Sequence, residues 1–317
     1  MIRTISSEPD DKPLDDASCL YGMQPKISKY KTLFHLLFWN INSVPEAKIK
    51  LINDWQIRLP MVIGVLLIIV CPYIDYILYS VELQNHGFRQ IFKITFFMIM
   101  YMMSYLVCIY EGPGYLPYYY PFKSTKPIRN QTEILKGVAS QPAQKIHPLK
   151  AGDLDRCHYF KSVGRYIIRP DHFCAWTTSF IGRKNHKLFF LFNFWGVIYI
   201  TSLAIYTVKS AIIYILDKDD FKYVHIFILA IFLTYGAVFI IMQVIFIFVC
   251  VKNFTLNETQ YEQVKYENPP NYRKKGIIRN WEEIFGPVKK IYTWLIPIGA
   301  FHGMDPEDLL YSNHYYC

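Results

Sequence analysis

The feature that most restricts this 317-residue chain is the gathering of its apolar residues into four long blocks, at 59–80, 91–110, 188–216 and 223–251. The hydrocarbon of a bilayer takes about 20 helical residues, and each block meets that length. The last two hold 29 residues each, roughly 44 Å at the rise of an α-helix. Such helices either tilt strongly or protrude into water. Polar and charged stretches occupy residues 1–58, so the first block is not read as a cleaved signal peptide. The expected fold class is an all-α membrane protein with four transmembrane helices. Composition agrees, with 52% apolar, 17% aromatic and only 19% charged residues, below the roughly 25% charged share of soluble chains. A disordered chain, a collagen-like chain and a typical soluble enzyme are excluded.

Lys and Arg outside the blocks set the orientation. The arm 1–58 carries eight, the loop 111–187 thirteen and the stretch after 251 eight, whereas the turns 81–90 and 217–222 hold only Arg89, Lys218 and Lys222. The expected layout is a cytosolic arm (1–58), helices 1–2 (59–110), a cytosolic loop (111–187), helices 3–4 (188–251) and a cytosolic C-terminal region (252–317). Both termini then face the cytosol. The sequons at Asn130, Asn253 and Asn257 stay without sugar in that topology. The seven cysteines contain no CxxC, so neither a disulfide framework nor a zinc site evident from spacing is expected. Within the arm, residues 27–40 are apolar with Lys29, Lys31 and His35 interspersed, which predicts an interfacial helix on the membrane. The formal charge of +9 is assigned to a membrane surface or an anionic ligand, and no nucleic-acid partner is expected.

The loop 111–187 carries the chemistry. Asp171, His172 and Cys174 lie within four residues, just before the third block. A thiol attacks as its thiolate, which a neighbouring imidazole produces by accepting the proton. On an extended backbone His172 and Cys174 point to one side. Asp171 points away there, so a bend is needed before it can orient the imidazole. By spacing alone, a trio of this kind also arises by chance.

The surroundings of the trio resemble the cysteine-rich domain of the DHHC protein S-acyltransferases, or palmitoyltransferases. Arg156, His158, Asp171, His172, Cys174, Trp176, Gly182, Asn185, Phe189 and Phe192 follow that pattern in order. Phe173 stands where the second His of the motif belongs, and resembles the DHYC variant of a fungal subgroup. Glu111-Gly112-Pro113-Gly114 is similar to the family's Asp-Pro-Gly motif, and Asn253 to Glu258 to its Thr-Thr-x-Glu motif. Asn268-Pro269, Asn280-Trp281 and Phe285-Gly286 resemble its C-terminal signatures. The resemblance covers roughly residues 55–290.

This resemblance implies a transfer in two steps. Cys174, activated by His172 and Asp171, takes a long-chain acyl group from palmitoyl-CoA as a thioester. It then passes the group to cytosolic cysteines of membrane-associated protein substrates. Trp176 is expected near the acyl carbonyl, and Arg169, Arg183 and Lys184 near the CoA phosphates, with Arg165 as a further candidate; Lys187 is read mainly as headgroup anchoring. Family members bind two zinc ions, but that spacing falls here on Ile146, Leu149, Tyr159, Tyr166, Phe160, Val163, Phe173 and Phe180. None can coordinate zinc as thiolate or imidazole, so no zinc is expected, and His158 is read as a structural histidine. The alternatives are a non-catalytic scaffold or partner subunit of the same fold, an enzyme needing an accessory subunit, and a four-pass transporter or receptor. The last is disfavoured because polar residues gather outside the spans.

Overall fold

The computed structural model describes residues 31–36, 39–44, 49–52, 55–56, 59–83, 88–114, 156–160, 165–217, 223–267 and 276–302. Four long helices dominate: α1 (Leu59–Leu83), α2 (Phe88–Glu111), α3 (His186–Asp217) and α4 (Tyr223–Leu256). Among the described residues three stretches are long and apolar enough to cross a membrane, Phe88–Glu111, His186–Lys209 and Leu233–Leu256, and a shorter apolar stretch, Met61–Ile74, lies in α1. Leu67, Phe92, Tyr235, Ile245 and Phe248 are large, apolar and exposed. Helices satisfy their own backbone hydrogen bonds, so only side chains of this kind need face lipid. The result is a mostly helical chain of multi-pass type.

The helices pack through a buried stripe. On α2 the buried positions are Ile94, Tyr101, Ser104, Tyr105, Cys108, Ile109 and Glu111, a spacing of three and four that keeps one face turned inward. Tyr101 stacks on Phe192 of α3 at 5.0 Å. Two polar contacts cross the bundle: Tyr199 Oη donates to Ile69 O at 2.8 Å, and Gln243 Nε2 to Tyr101 Oη at 2.8 Å. α3 begins among the loop residues, and α4 runs on to Leu256 beneath the C-terminal helices.

The chain is not all-α. Before α1, four antiparallel strands form a meander: β1 (Lys31–Leu36), β2 (Trp39–Val44), β3 (Ile49–Ile52) and β4 (Trp55–Gln56). The interfacial helix expected over 27–40 is therefore corrected for its described part, Lys31–Leu36 and residues 39–40. Thr32, Phe34, Trp39, Ile41 and Val44 are β-branched or aromatic, types that favour a pleated backbone, and the apolar periodicity of so short a segment does not separate helix from strand.

The described part of the loop holds two antiparallel strand pairs, β5 (Cys157–Phe160) with β6 (Arg165–Ile168), and β7 (His172–Cys174) with β8 (Ser179–Ile181). The turn after α2 holds them together. Gly114 O accepts from Ile168 N at 3.0 Å, and Pro113 O from Lys184 N at 3.3 Å. Two short helices follow α4: α5 (Gln260–Lys265) and α6 (Ile277–Phe285), then a 3₁₀ turn, Val288–Thr293. α6 clamps the end of α4. Asn280 Nδ2 donates to Thr255 O at 2.9 Å, and Trp281 stacks on Phe285 at 5.4 Å.

Gly182 is required by close approach. A Cβ there would lie 2.5 Å from Pro113 O and 3.1 Å from Ile168 O, both backbone atoms that cannot swing aside. Gly182→Ala is expected to destabilise the protein by about 1–3 kcal/mol, read as a lower melting midpoint in detergent.

Candidate active site

His172 and Cys174 share one face of β7, as an extended backbone requires. Cys174 is 5% exposed, while Phe173 on the other face is 46% exposed. The bend that brings in Asp171 comes from the two residues before it. Arg169 has φ 48°, and Pro170 fixes the next φ. Asp171 Oδ2 then accepts from His172 Nδ1 at 2.8 Å. The β7–β8 turn supplies the other contact. Thr177 Oγ1 lies 3.5 Å from Cys174 O.

The electrostatics follow from this geometry. Burial by itself would push the Cys174 thiol up; the hydrogen bond and charge of His172, with the Thr177 contacts, outweigh burial and bring it below its ordinary value. Burial opposes His172 as well, but hydrogen bonds and charges at Asp171 and Cys174 prevail and push it up to about 10. Burial also opposes Asp171, yet His186, His172 and the Gln260 N–H hold its carboxyl well below the usual range. The arrangement favours passage of the Cys174 proton to His172 beside the Asp171 carboxylate. Charged His172 stabilises the fold fully below the unfolded value of about 6.5, and this contribution is lost as pH rises through about 10. Asp171 stabilises it above about 3.9, a contribution lost as acid protonates the carboxyl.

Asp171 is held from across the chain. Its Oδ1 accepts from Gln260 N at 2.9 Å, at the first residue of α5. Thr259 caps α5 through a reciprocal capping box with Glu262, and Glu262 also takes both Arg156 Nε at 2.6 Å and Nη2 at 2.8 Å. Asn257 Oδ1 accepts from Arg156 Nη1 and Arg169 Nη2, each at 2.9 Å. The groups that hold Asp171 and the two arginines therefore come from Asn257, Gln260 and Glu262, largely beyond the stretch read at 253–258. Thr259 and Glu262 at N-cap and N3 are a capping-box signature visible in the sequence. Asn253 and Glu258 instead accept from Gln263 Nε2, each at 3.2 Å.

The residues expected near CoA separate. Trp176 lines a narrow gap between the four long helices, about 370 Å³ counting its open mouth, together with Tyr101, Phe189, Phe239 and Gln243. Phe189 also meets the His172 ring edge-on at 5.0 Å, so the gap begins beside the trio. Arg169 and Arg183 are fully buried and do not face an external phosphate, which corrects that expectation. Arg169 serves Asn257, and burial, with Arg156 beside it, pushes it down to about 9. Arg183 lies 3.9 Å from Glu283 and 4.9 Å from the Phe301 ring. Lys184 is partly exposed but pairs with Glu111 at 3.1 Å, and Glu111 also binds His302. Lys187 is not a headgroup anchor: it is buried and donates to Thr293 O at 2.7 Å and Ile298 O at 2.9 Å. The side chain of Arg165 lies outside the described residues.

Aromatic rings pack between the described parts of the hairpins. Phe160 and Phe180 are buried with ring centroids 4.4 Å apart, and Phe173 and Tyr261 join them at 5.3 and 5.1 Å. His158 packs on Tyr261 at 4.8 Å with Lys265 Nζ 3.2 Å from its Nδ1. Burial and that lysine push it down to about 3, a structural histidine beside a cation. Among the described residues no group of three or more His, Cys, Asp or Glu is arranged to hold a metal. Ile146, Leu149 and Val163 lie outside the described residues.

Residues 144–267, which contain the trio and the α5 clamp, match the DHHC palmitoyltransferase family. Through this segment the chain is similar to that family. Among relatives, the palmitoyltransferase ZDHHC15 of Xenopus laevis is 30% identical over 152 residues, 45% of this chain and 43% of that protein. The palmitoyltransferase PFA3 of Candida albicans is 27% identical over 168 residues, 45% of this chain and 44% of that protein. The match thus spans less than half the length of these two. Probable protein S-acyltransferase 14 of Arabidopsis thaliana aligns over more, 24% identical across 78% of this chain and 86% of that protein.

Alkylation of Cys174 by iodoacetamide is expected to stay fast below the ordinary thiol value of about 8.5, the direction its contacts with His172 and Thr177 set. In His172→Ala the burial of Cys174 is no longer compensated, so the profile moves above that of an ordinary thiol. Mass-spectrometric rates from pH 5 to 10 read both.

Proposed function

We propose that this chain is a protein S-acyltransferase. It carries a long-chain acyl group, palmitoyl in the expected case, from acyl-CoA to cysteines of membrane-associated proteins. The observation that carries this reading is the Asp171–His172–Cys174 line at the mouth of an apolar gap between helices. The similarity of residues 144–267 to the DHHC family supports it, because a scaffold has no need of that trio.

The Cys174 thiolate attacks the thioester carbonyl of acyl-CoA. The bond from that carbon to the CoA sulfur breaks, and the departing sulfur takes the proton of His172. This leaves CoA thiol, acyl-Cys174 and neutral His172. A substrate cysteine then gives its proton to His172 as its sulfur attacks the acyl carbon, and Cys174 leaves as thiolate. The starting pair is restored, and no external acid or base is consumed. Asp171 keeps His172 in the tautomer that presents Nε2 to the thiol. The acyl chain enters the gap beneath Trp176, whose side chains move apart to admit it.

The four long helices cross the membrane with the trio, the N-terminal arm and the C-terminal region on the cytosolic side. Asn253 and Asn257 are both buried, which by itself keeps sugar from them, so of the three sequons Asn130 carries the test of topology. The hairpins work without zinc, with the Phe160, Phe173 and Phe180 rings packed together at three of the ligand positions. Phe173 belongs to the DHYC-like variation of the motif.

Detergent-purified protein given an alkyne-tagged palmitoyl-CoA is expected to take a hydroxylamine-sensitive label that Cys174→Ser loses. The same preparation should contain less than a tenth of an equivalent of zinc by elemental analysis and keep its melting midpoint in a strong chelator. An unlabelled protein would favour the non-catalytic scaffold, once an accessory subunit had been supplied and excluded.

A further inference from the structure

His186 is a fully buried imidazole that the two-step transfer does not use. It opens α3 immediately after Asn185. Asn185 Oδ1 accepts from Gly182 N at 2.9 Å, and its Nδ2 donates to Phe180 O at 3.1 Å. These bonds fix the turn that delivers His186 into the site. Its ring stands edge-on to Phe254 at 4.9 Å, and its Nε2 lies 3.7 Å from Asp171 Oδ2. Neither ring nitrogen has a hydrogen-bond partner among the described residues. Burying such a group unpaired costs about 1–3 kcal/mol, and a phenyl ring would fill the same space against Phe254 without that penalty. The residue is thus explained by what its nitrogen faces, which is the oxygen of Asp171 that also serves His172.

We propose that His186 is a positioning residue for the transfer, a second imidazole donor on Asp171 that shares the carboxylate with His172 as the proton of His172 comes and goes. The idea rests on the S-acyltransferase reading. When His172 is an imidazolium, it satisfies Oδ2 and His186 stands back at 3.7 Å. When His172 has given its proton to CoA, Asp171 is left as a buried carboxylate beside a neutral ring. A small rotation of His186 then brings its Nε2–H within hydrogen-bond range. Arg169, Arg156 and His172 are the other charged or titratable groups facing it, and Phe254 closes the remaining side. By drawing carboxylate charge towards itself, His186 keeps His172 from holding its proton too tightly.

The test compares His186→Phe, which keeps the ring against Phe254, with His186→Gln, which restores an N–H. Three quantities are read: melting midpoint, single-turnover transfer from acyl-Cys174 to a thiol acceptor, and the pH profile of Cys174 alkylation. In His186→Phe the midpoint is expected to hold or rise, since the unpaired imidazole is gone, and transfer to fall about ten-fold, the worth of one hydrogen bond to a charged group. The acid limb of alkylation should move to lower pH, because His172 becomes more basic, and the Gln variant should recover both. A limb moving to higher pH together with a lowered midpoint would mean disrupted structure and overturn the proposal, as would unchanged rate and profile. Alkylation needs no acyl-CoA, so it still tests His186 if the wild-type protein takes no acyl group.

Discussion

The buried ion pair between Arg156 and Glu262 is the interaction on which the site depends. Two charges taken out of water are tolerated only when their remaining hydrogen-bonding groups are satisfied. Here Glu262 takes two guanidinium nitrogens of Arg156 and the Thr259 N–H, while Asn257 takes a third nitrogen and one from Arg169. Breaking such a pair from one side leaves an uncompensated buried charge, at a cost of about 3–5 kcal/mol. The arrangement also holds Arg156, Arg169 and Asn257 at positive φ, a backbone region that non-glycine residues rarely occupy. The consequence reaches the chemistry in three steps. The pair seats α5, α5 presents Gln260 N to Asp171, and Asp171 orients His172 towards Cys174.

The membrane helices supply the other half of the frame. α3 and α4 run beyond what the hydrocarbon needs, and their extra length carries His186, Asn253 and Phe254 into the same body as the hairpins. The C-terminal stretch is then fastened to α3 by side chains on that helix. Lys187 caps two carbonyls, and Trp195 Nε1 donates to Leu295 O at 3.0 Å. Glu111, at the end of α2, ties Lys184 to His302. A reacting thiol held between packed helices in this way is more closely positioned than one on a free loop.

Between the two frames, apolar contact joins the hairpins. Phe160, Ile167 and Phe180 are buried together, with Tyr261 of α5 against them. Each such side chain contributes roughly 1.5–3 kcal/mol when fully buried. The same cluster therefore serves the hairpins and the helix that presents Gln260, which couples the packing of the loop to the orientation of Asp171.

Much of the architecture was legible before any contact was known. The apolar blocks mark α1 to α4 because transfer into hydrocarbon is a property of a segment's own composition. His172 and Cys174 share a face because a strand alternates. The short apolar run at 27–40 was ambiguous for the same local reason, too brief for its period to choose helix or strand. Tertiary structure alone decided the pairing of charges. Arg156 meets Glu262 across 106 positions, and Arg169 meets Asn257 across 88, so a basic residue near the trio reads as a phosphate ligand until its distant partner is seen. His186 passed unnoticed in the sequence for that reason too. An imidazole acquires a role only from the carboxylate and the ring that folding places around it, and no spacing along the chain encodes that meeting.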